Sequence, residues 1–312
     1  MVLNIMENMH YTHILINIGS TTIKVYGVQE CRAQLLETKT LYLREGFHAM
    51  AGISEEKLAQ LYAYINEIKD MYTGVSVSLM GGGLFRNMTP SVLDHSLQQF
   101  EEHTGGLLLS VLSLDNEQEY LQAAVAGRYS GDDPVILVDI SGESTEVVLM
   151  DKGLVLERKS YLFGIIHTNH EFRDINDEEK LTGFHEVIGY VRSKLEPFTH
   201  WVQPKISFLV GAGLMFARAL QYPLVVNTLF QDREHPLMIP APAYYEYNEH
   251  IFSAVSIEEL EKMFPENPAW MHGAKAYIGI AEAICRFYGA DTVVPSDKEV
   301  IDGLVQSDFC SK

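Results

Sequence analysis

The segment Leu15-Ile16-Asn17-Ile18-Gly19-Ser20-Thr21-Thr22 returns as Leu137-Val138-Asp139-Ile140-Ser141-Gly142-Glu143-Ser144-Thr145, offset by 122 residues between Asn17 and Asp139. Each copy is an apolar strand that ends in Asn or Asp, enters a Gly/Ser/Thr turn and leaves on a second strand. The flanking pattern repeats as well. His13–Ile18, Thr22–Gln29 and Gln34–Leu43 read as three consecutive strands. After the second turn Val135–Ile140, Thr145–Met150 and Gly153–Lys159 do the same. Duplication of one α/β unit explains this better than chance.

Outward from the two turns, short β-type runs alternate with helical spacing, the signature of α/β architecture. Ser54–Ile68 is predicted helical, with Leu58, Leu61, Ile65 and Ile68 on one face, an N-capping Ser54 and Glu55 and Glu56 at the positive end of the dipole. Val75–Met80 and Leu107–Leu112 are predicted strands, and Ser91–His103 and Asn116–Arg128 predicted helices. The turn formers of Tyr129–Pro134 then interrupt the pattern, which places the domain boundary there: 1–130 and 131–312. The second part continues with a long helix, Asn176–Phe198, a strand, Lys205–Val210, and the Gly-rich turn Gly211-Ala212-Gly213 before a helix from Leu214. Pro268–Tyr288 is a predicted helix, Asp291–Val294 a strand and Asp297–Val305 a last helix, which can pack back on the first domain.

Composition narrows the function. The 312 residues carry 23 Lys and Arg against 42 Asp and Glu, a formal charge of −19. That balance counts against nucleic acid, whose phosphates are captured by clustered cations, and against anionic membranes. No apolar run approaches the roughly 20 residues that span a bilayer, and Met1–Tyr11 has no leader pattern. Three cysteines, Cys31, Cys285 and Cys310, lie far apart in the sequence without a Cys-x-x-Cys pair. They count against a disulfide scaffold or a Cys-rich zinc site and fit a reducing cytoplasm.

A strand that delivers an amide or carboxylate into a Gly/Ser/Thr turn brings backbone N–H groups and hydroxyls to one point, a cradle for a phosphate-sized anion. Glycine permits close approach, and Ser20, Thr21, Thr22, Ser144 and Thr145 can add hydroxyl donors. Asp139 at its strand end can hold Mg²⁺. An ordinary hairpin turn is the alternative for either copy taken alone. Two such cradles facing each other would grip one phosphorylated ligand.

On these residues the chain resembles the exopolyphosphatase/guanosine pentaphosphate phosphohydrolase (Ppx/GppA) family of the actin, Hsp70 and sugar-kinase superfamily. Asn17–Thr22 resembles that family's first phosphate loop, and Asp139–Glu146 its second, with the specific Ser144-Thr145-Glu146 ending. Leu112–Glu117 resembles the segment of the catalytic glutamate, and Phe85-Arg86 a phosphate-contacting loop. Val210–Leu220 resembles the Gly-rich turn, and Ser296-Asp297 with Gly303-Leu304 the closing helix. The resemblance implies two ribonuclease H-like (actin-like ATPase) domains, each a mixed sheet flanked by helices, with an interdomain cleft. It further implies a cytoplasmic hydrolase of terminal phosphoanhydrides that acts on a small phosphorylated substrate, short polyphosphate or guanosine penta-/tetraphosphate, and leaves a homodimer open.

Under that resemblance Glu117 activates water. Asp139 and Glu146 hold Mg²⁺ or Mn²⁺, with Asn17 at the matching place in the first loop. Arg86, Gly19, Ser20, Thr21, Thr22, Gly142, Ser144, Thr145, Gly211 and Gly213 bind phosphate. Departures are Asn17 for Asp, Ser141 and Glu143 for glycines, and Gly82 for Thr; they favour, as an alternative, an impaired member that binds without turnover. A kinase of the superfamily is disfavoured by the Ser144-Thr145-Glu146 ending. His167-x-x-His170 has ligand-like spacing that twelve histidines produce by chance. Tyr244-Tyr245-Glu246-Tyr247 and Met215 read as core, and the acidic runs Asp174–Glu179 and Glu258–Glu261 as solvated helix starts.

Overall fold

The computed structural model describes residues 11–310 except 127, 128, 130, 178, 180, 201, 212, 232 and 233. The segment read for a leader, the end of the helix expected to reach Arg128, and the middle of the Gly-rich turn therefore lie partly outside the described residues. By internal contacts the chain forms two units: Met1–Glu117 with Leu304–Lys312, and Gln118–Gly303.

The first unit holds strands β1 (His13–Ile18), β2 (Thr22–Gln29), β3 (Arg32–Thr40), β4 (Ser76–Gly81) and β5 (Leu109–Val111). Its helices are α1 (Glu55–Met71), α2 (Gly83–Arg86) and α3 (Pro90–His103), and α4 (Leu114–Ala126) begins in it. The sheet order is β3-β2-β1-β4-β5, with β1, β2 and β3 an antiparallel meander and β4 and β5 parallel to β1. Ile14, Ile16 and Ile18 alternate into a core shared with Leu61, Ile65 and Ile68 of α1 and with Phe85 and Phe100.

The second unit repeats this plan. Strands β6 (Val135–Ile140), β7 (Thr145–Asp151) and β8 (Leu154–Tyr161) form the meander, and β9 (Ile206–Leu209) runs parallel to β6. Beyond β9 the sheet is extended by β10 (Val225–Val226), β11 (Leu237–Pro240) and β12 (Thr292–Pro295), in the order β10-β11-β12-β9-β6-β7-β8. Read from β8, the first five strands match the first unit. These are the two helix-flanked mixed sheets that the sequence repeat led one to expect. Helices α5 (Ile165–Glu171), α6 (Phe184–Lys194), α7 (Gly213–Ala219), α8 (Ala241–Ala254), α9 (Ile257–Met263), α10 (Ala274–Tyr288) and α11 (Val300–Leu304) complete the unit. The sheet is buried on both faces: Ile136 and Val138 pack with α6 and α10, whereas Val135 and Leu137 pack with Leu121, Ala124 and Val125 of α4.

Several element boundaries differ from the sequence expectation for local reasons. The helix expected from Asn176 starts at Phe184, because Asp174 captures the N–H groups of Leu181 (2.7 Å) and Thr182 (3.0 Å) and keeps these two residues outside the helix. The helix expected over Pro268–Tyr288 is a 3₁₀ segment to Gly273 before α10. The last helix ends at Leu304 and passes into a π-helical turn, Val305–Phe309. The acidic run at Glu258 does start a helix, with Ser256 and Glu259 closing a capping box. Tyr244 is core, and no helix of the described residues is long and apolar enough to cross a membrane.

Two predictions test this packing. Gly303 abuts α4 so closely that a Cβ would stand 1.6 Å from the Tyr120 carbonyl oxygen, and backbone cannot yield there. Gly303→Ala should therefore cost on the order of 3 kcal/mol in urea unfolding; an unchanged midpoint would refute the contact. For Glu157, burial alone would raise the carboxyl. Hydrogen bonds from Thr199, Lys159 and the His200 N–H outweigh it and bring the group from the ordinary 4.5 to about 2. A folded value below the unfolded one stabilises above pH 4.5, and the gain is lost as pH falls from there toward 2. Glu157→Gln should thus lose on the order of 2–3 kcal/mol at neutral pH and flatten acid unfolding in that window.

Candidate functional site

The two repeated turns fold alike. Gly19 N–H donates to the Thr22 carbonyl at 2.9 Å, and Ser141 N–H donates to the Ser144 carbonyl at 3.0 Å, so each hairpin closes over a two-residue tip. In both units the stretch after the third strand takes up the carbonyls of the turn. Leu41 and Tyr42 N–H donate to Thr21 O, and Arg44 N–H to Ser20 O. Ile165 and Ile166 N–H donate to Ser141 O and Gly142 O. A carbonyl oxygen repels an anion, so tying these oxygens inward suits each turn to a phosphate.

The charges of the two copies differ. On β6 and β7, Asp139 stands directly opposite Glu146, and on β1 and β2 the equivalent pair is Asn17 opposite Lys24. Directly opposed residues of an antiparallel pair share a face of the sheet. The second unit therefore carries a carboxylate pair where the first carries an amide and an ammonium. Lys24 escaped the sequence reading, although applying the 122-residue offset to Glu146 would have found it.

In the second unit, Glu146 is buried, and its Oε1 accepts from Ser160 Oγ at 3.4 Å. Thr145 is also buried, and its hydroxyl donates to the Phe163 carbonyl at 2.8 Å, which anchors the turn to the core. Ser141 Oγ accepts the Ser144 N–H at 3.1 Å, so the serine side chain braces the turn. Gly142, Glu143 and Ser144 are partly exposed. Gly164 has no room for a side chain, because a Cβ would clash with the Ser141 carbonyl, a constraint with no local mark in the chain.

The Gly-rich turn is tied to Ser296 and Asp297. Gly211 and Gly213 N–H donate to the carbonyls of Lys298 and Ser296, both at 2.9 Å, and Met215 N–H to Asp297 Oδ1 at 2.8 Å. Ser296 Oγ also lies 2.7 Å from Nε2 of the buried His235, another contact that the sequence reading missed. Gly211 has φ +75°, and a Cβ there would meet Asp139 Oδ1 at 3.2 Å. Burial raises the Tyr277 phenol, and the charges of Asp139, Cys285 and Asp297 add to it, so two acids of this turn region act on one tyrosine. Met215 is 40% exposed and is not the core residue expected.

In the first unit, Arg86 and Glu117 form an ion pair at 2.8 Å, each side chain about one-fifth exposed (20%). Arg86 also donates to the Leu112 carbonyl at 2.7 Å. Glu117 lies in the first turn of α4, where the helix dipole favours an acid. Gly82 explains the pairing: a Cβ at that position would stand 2.5 Å from Glu117 Oε1. The loss of a side chain at 82 makes room for the carboxylate. Gly19, Ser20, Thr21 and Thr22 are partly exposed in the same unit. His167 and His170 lie on α5, and no group of three His, Cys, Asp or Glu among the described residues could hold a metal.

Comparison with known proteins bears on family and fold. Residues 30–227 match the sequence profile described as the Ppx/GppA phosphatase family. The Ppx/GppA enzyme of Aquifex aeolicus superposes with a TM-score of 0.68 at 17% identity, covering 95% of this chain and 99% of its own. An exopolyphosphatase from Cytophaga hutchinsonii superposes with a TM-score of 0.73 at 15% identity, covering 95% and 96%. At such identities the likeness is one of fold. A search of curated proteins finds no significant match.

A double-mutant cycle tests the Gly82 account. Glu117→Gln alone should cost about 1 kcal/mol in urea unfolding by weakening the pair. Gly82→Ala should be tolerated, since the atom it meets ends a flexible side chain, but it should swing Glu117 off Arg86. With Gly82→Ala present, the cost of Glu117→Gln should vanish; strictly additive costs would reject the account.

Proposed function

This chain belongs to the Ppx/GppA phosphatase family, and we propose that it hydrolyses the terminal phosphoanhydride of a short polyphosphate or of guanosine penta-/tetraphosphate. The observation that supports the proposal is the Arg86–Glu117 pair beside Gly82, a cation and a carboxylate held together at one point. Phosphoryl transfer asks little covalent chemistry of a protein and depends on positioning and charge.

The terminal phosphate competes with Glu117 for Arg86, which satisfies the guanidinium with bidentate oxygens. The released carboxylate then orients a water and takes its proton as the water attacks the terminal phosphorus, while the bond to the bridging oxygen breaks and the shortened phosphate chain leaves with that oxygen and its electron pair. In the first unit the backbone N–H groups and hydroxyls of the turn at Gly19–Thr22 hold phosphate oxygens, and in the second unit those of Ser141–Ser144 are suited to the same task. Gly211 and Gly213 keep the adjoining turn close, and Thr145 positions its loop from the core.

Mg²⁺ or Mn²⁺ fits the second unit. Asp139 and Glu146 offer hard oxygen donors from one face of the sheet, and Gly211 keeps the space beside Asp139 Oδ1 open. Such an ion takes one or two carboxylates and completes its shell with water and phosphate oxygens. When bound, it would neutralise charge on the transferring group. Asn17 and Lys24 suit the first turn to an anion instead. A net charge of −19 opposes encounter with a long polyanion, which favours short substrates.

A second reading, binding without turnover, is favoured by Asn17 in the first turn and by Glu143 at the tip of the second. Phosphate release from tripolyphosphate, long polyphosphate and guanosine pentaphosphate with Mg²⁺ or Mn²⁺ separates the two. Hydrolysis is expected with the short substrates and metal, with kcat falling about 100-fold or more in Glu117→Gln and KM rising in Arg86→Ala. Full turnover in Glu117→Gln would remove that residue as the base. Saturable binding of the same ligands with no phosphate released would establish the second reading.

A further inference from the structure

Cys31 and Cys310 are far apart in sequence and adjacent in space. Cys31 is exposed at the tip of the β2–β3 hairpin, where Glu30 and Cys31 form the two-residue turn with φ of 47° and 62°. Cys310 follows the π-helical turn Val305–Phe309, which packs against β3 and sets the Phe309 ring 4.9 Å from that of His13 on β1. All of these residues belong to the first unit. Cys310 Sγ donates to the Val305 carbonyl at 3.1 Å, and the Cys31 thiol at the adjoining hairpin tip is near enough to act on its ionisation. A disulfide asks that the two Cα atoms stand within about 7 Å, and the packing of the Val305–Phe309 turn on β3 draws the two backbones together. The third cysteine, Cys285, is buried in α10 of the other unit.

We propose that Cys31 and Cys310 are a redox modification site that closes to a reversible intramolecular disulfide in the presence of a small-molecule disulfide oxidant. Their roles differ. Desolvation pushes the Cys310 thiol up to about 11, and the Cys31 thiol beside it adds to the effect, so Cys310 stays protonated at neutral pH. Exposed Cys31 is therefore the first to react. Its thiolate attacks one sulfur of the oxidant, forming a mixed disulfide and expelling one thiolate, which takes a proton from water. Cys310 then loses its proton to water and attacks the Cys31 sulfur, expelling the second thiolate. Two protein thiols are oxidised and one disulfide is reduced to two thiols. The product fastens the turn that follows α11 to the edge hairpin of the first sheet.

The test uses the reduced full-length chain, oxidised glutathione, acid quench and thiol titration after denaturation. Titratable thiols should fall from three to one, leaving Cys285. Peptide mapping should join the Cys31 and Cys310 peptides with the loss of two hydrogens, and dithiothreitol should restore all three. Cys31→Ser and Cys310→Ser should each abolish the link, and Cys285→Ala should leave it intact. Amide exchange over the hairpin tip and the Val305–Phe309 turn should slow in the oxidised form. The proposal fails if the natural chain stops at a glutathione adduct on Cys31 with Cys310 still titratable. It also fails if the cross-links form only between chains.

Discussion

Both candidate phosphate turns depend on one backbone hydrogen bond, from Gly19 N–H to Thr22 O and from Ser141 N–H to Ser144 O. That bond fixes a two-residue tip, and the tip fixes the strand register. Register in turn sets which residues leave the sheet together: Asn17 with Lys24, and Asp139 with Glu146. A slip of one residue would carry Asn17 and Asp139 to the faces that Ile16 and Val138 now bury. Apolar burial on alternate positions, worth about 0.8 kcal/mol per buried CH₂, therefore holds the polar groups in place.

The carbonyl groups of the turns need a second device. A hairpin tip normally shows both N–H and C=O to solvent, and the oxygens oppose an anion. Here the chain that follows each third strand donates its N–H groups to them, from Leu41, Tyr42 and Arg44 in one unit and Ile165 and Ile166 in the other. The copies share this scaffold and differ in side-chain charge. Divergence at Asn17 and Lys24 removes a carboxylate from one turn without touching the backbone, and Ser141 supports with its hydroxyl a turn that glycine would otherwise shape.

The Arg86–Glu117 pair shows a further coupling. Glu117 lies at a helix start and Arg86 at the end of a short helix, and neither local sequence specifies the other. What joins them is the missing Cβ of Gly82. A single glycine thus admits the carboxylate to the guanidinium.

The strand repeat, the α/β class, the two turns and the segments carrying Arg86 and Glu117 were legible in the sequence, because hydrophobic period and turn chemistry are local properties. The same locality explains the misses. Helical spacing before Phe184 gave no hint that Asp174 would take the N–H groups of Leu181 and Thr182, and Met215 looked like core because its neighbours are apolar. Only tertiary structure decided which side chains meet: Glu117 with Arg86, His235 with Ser296, and Cys31 with Cys310. Those pairings bring together residues from separate elements, and their geometry is fixed by packing, which no single stretch of chain encodes.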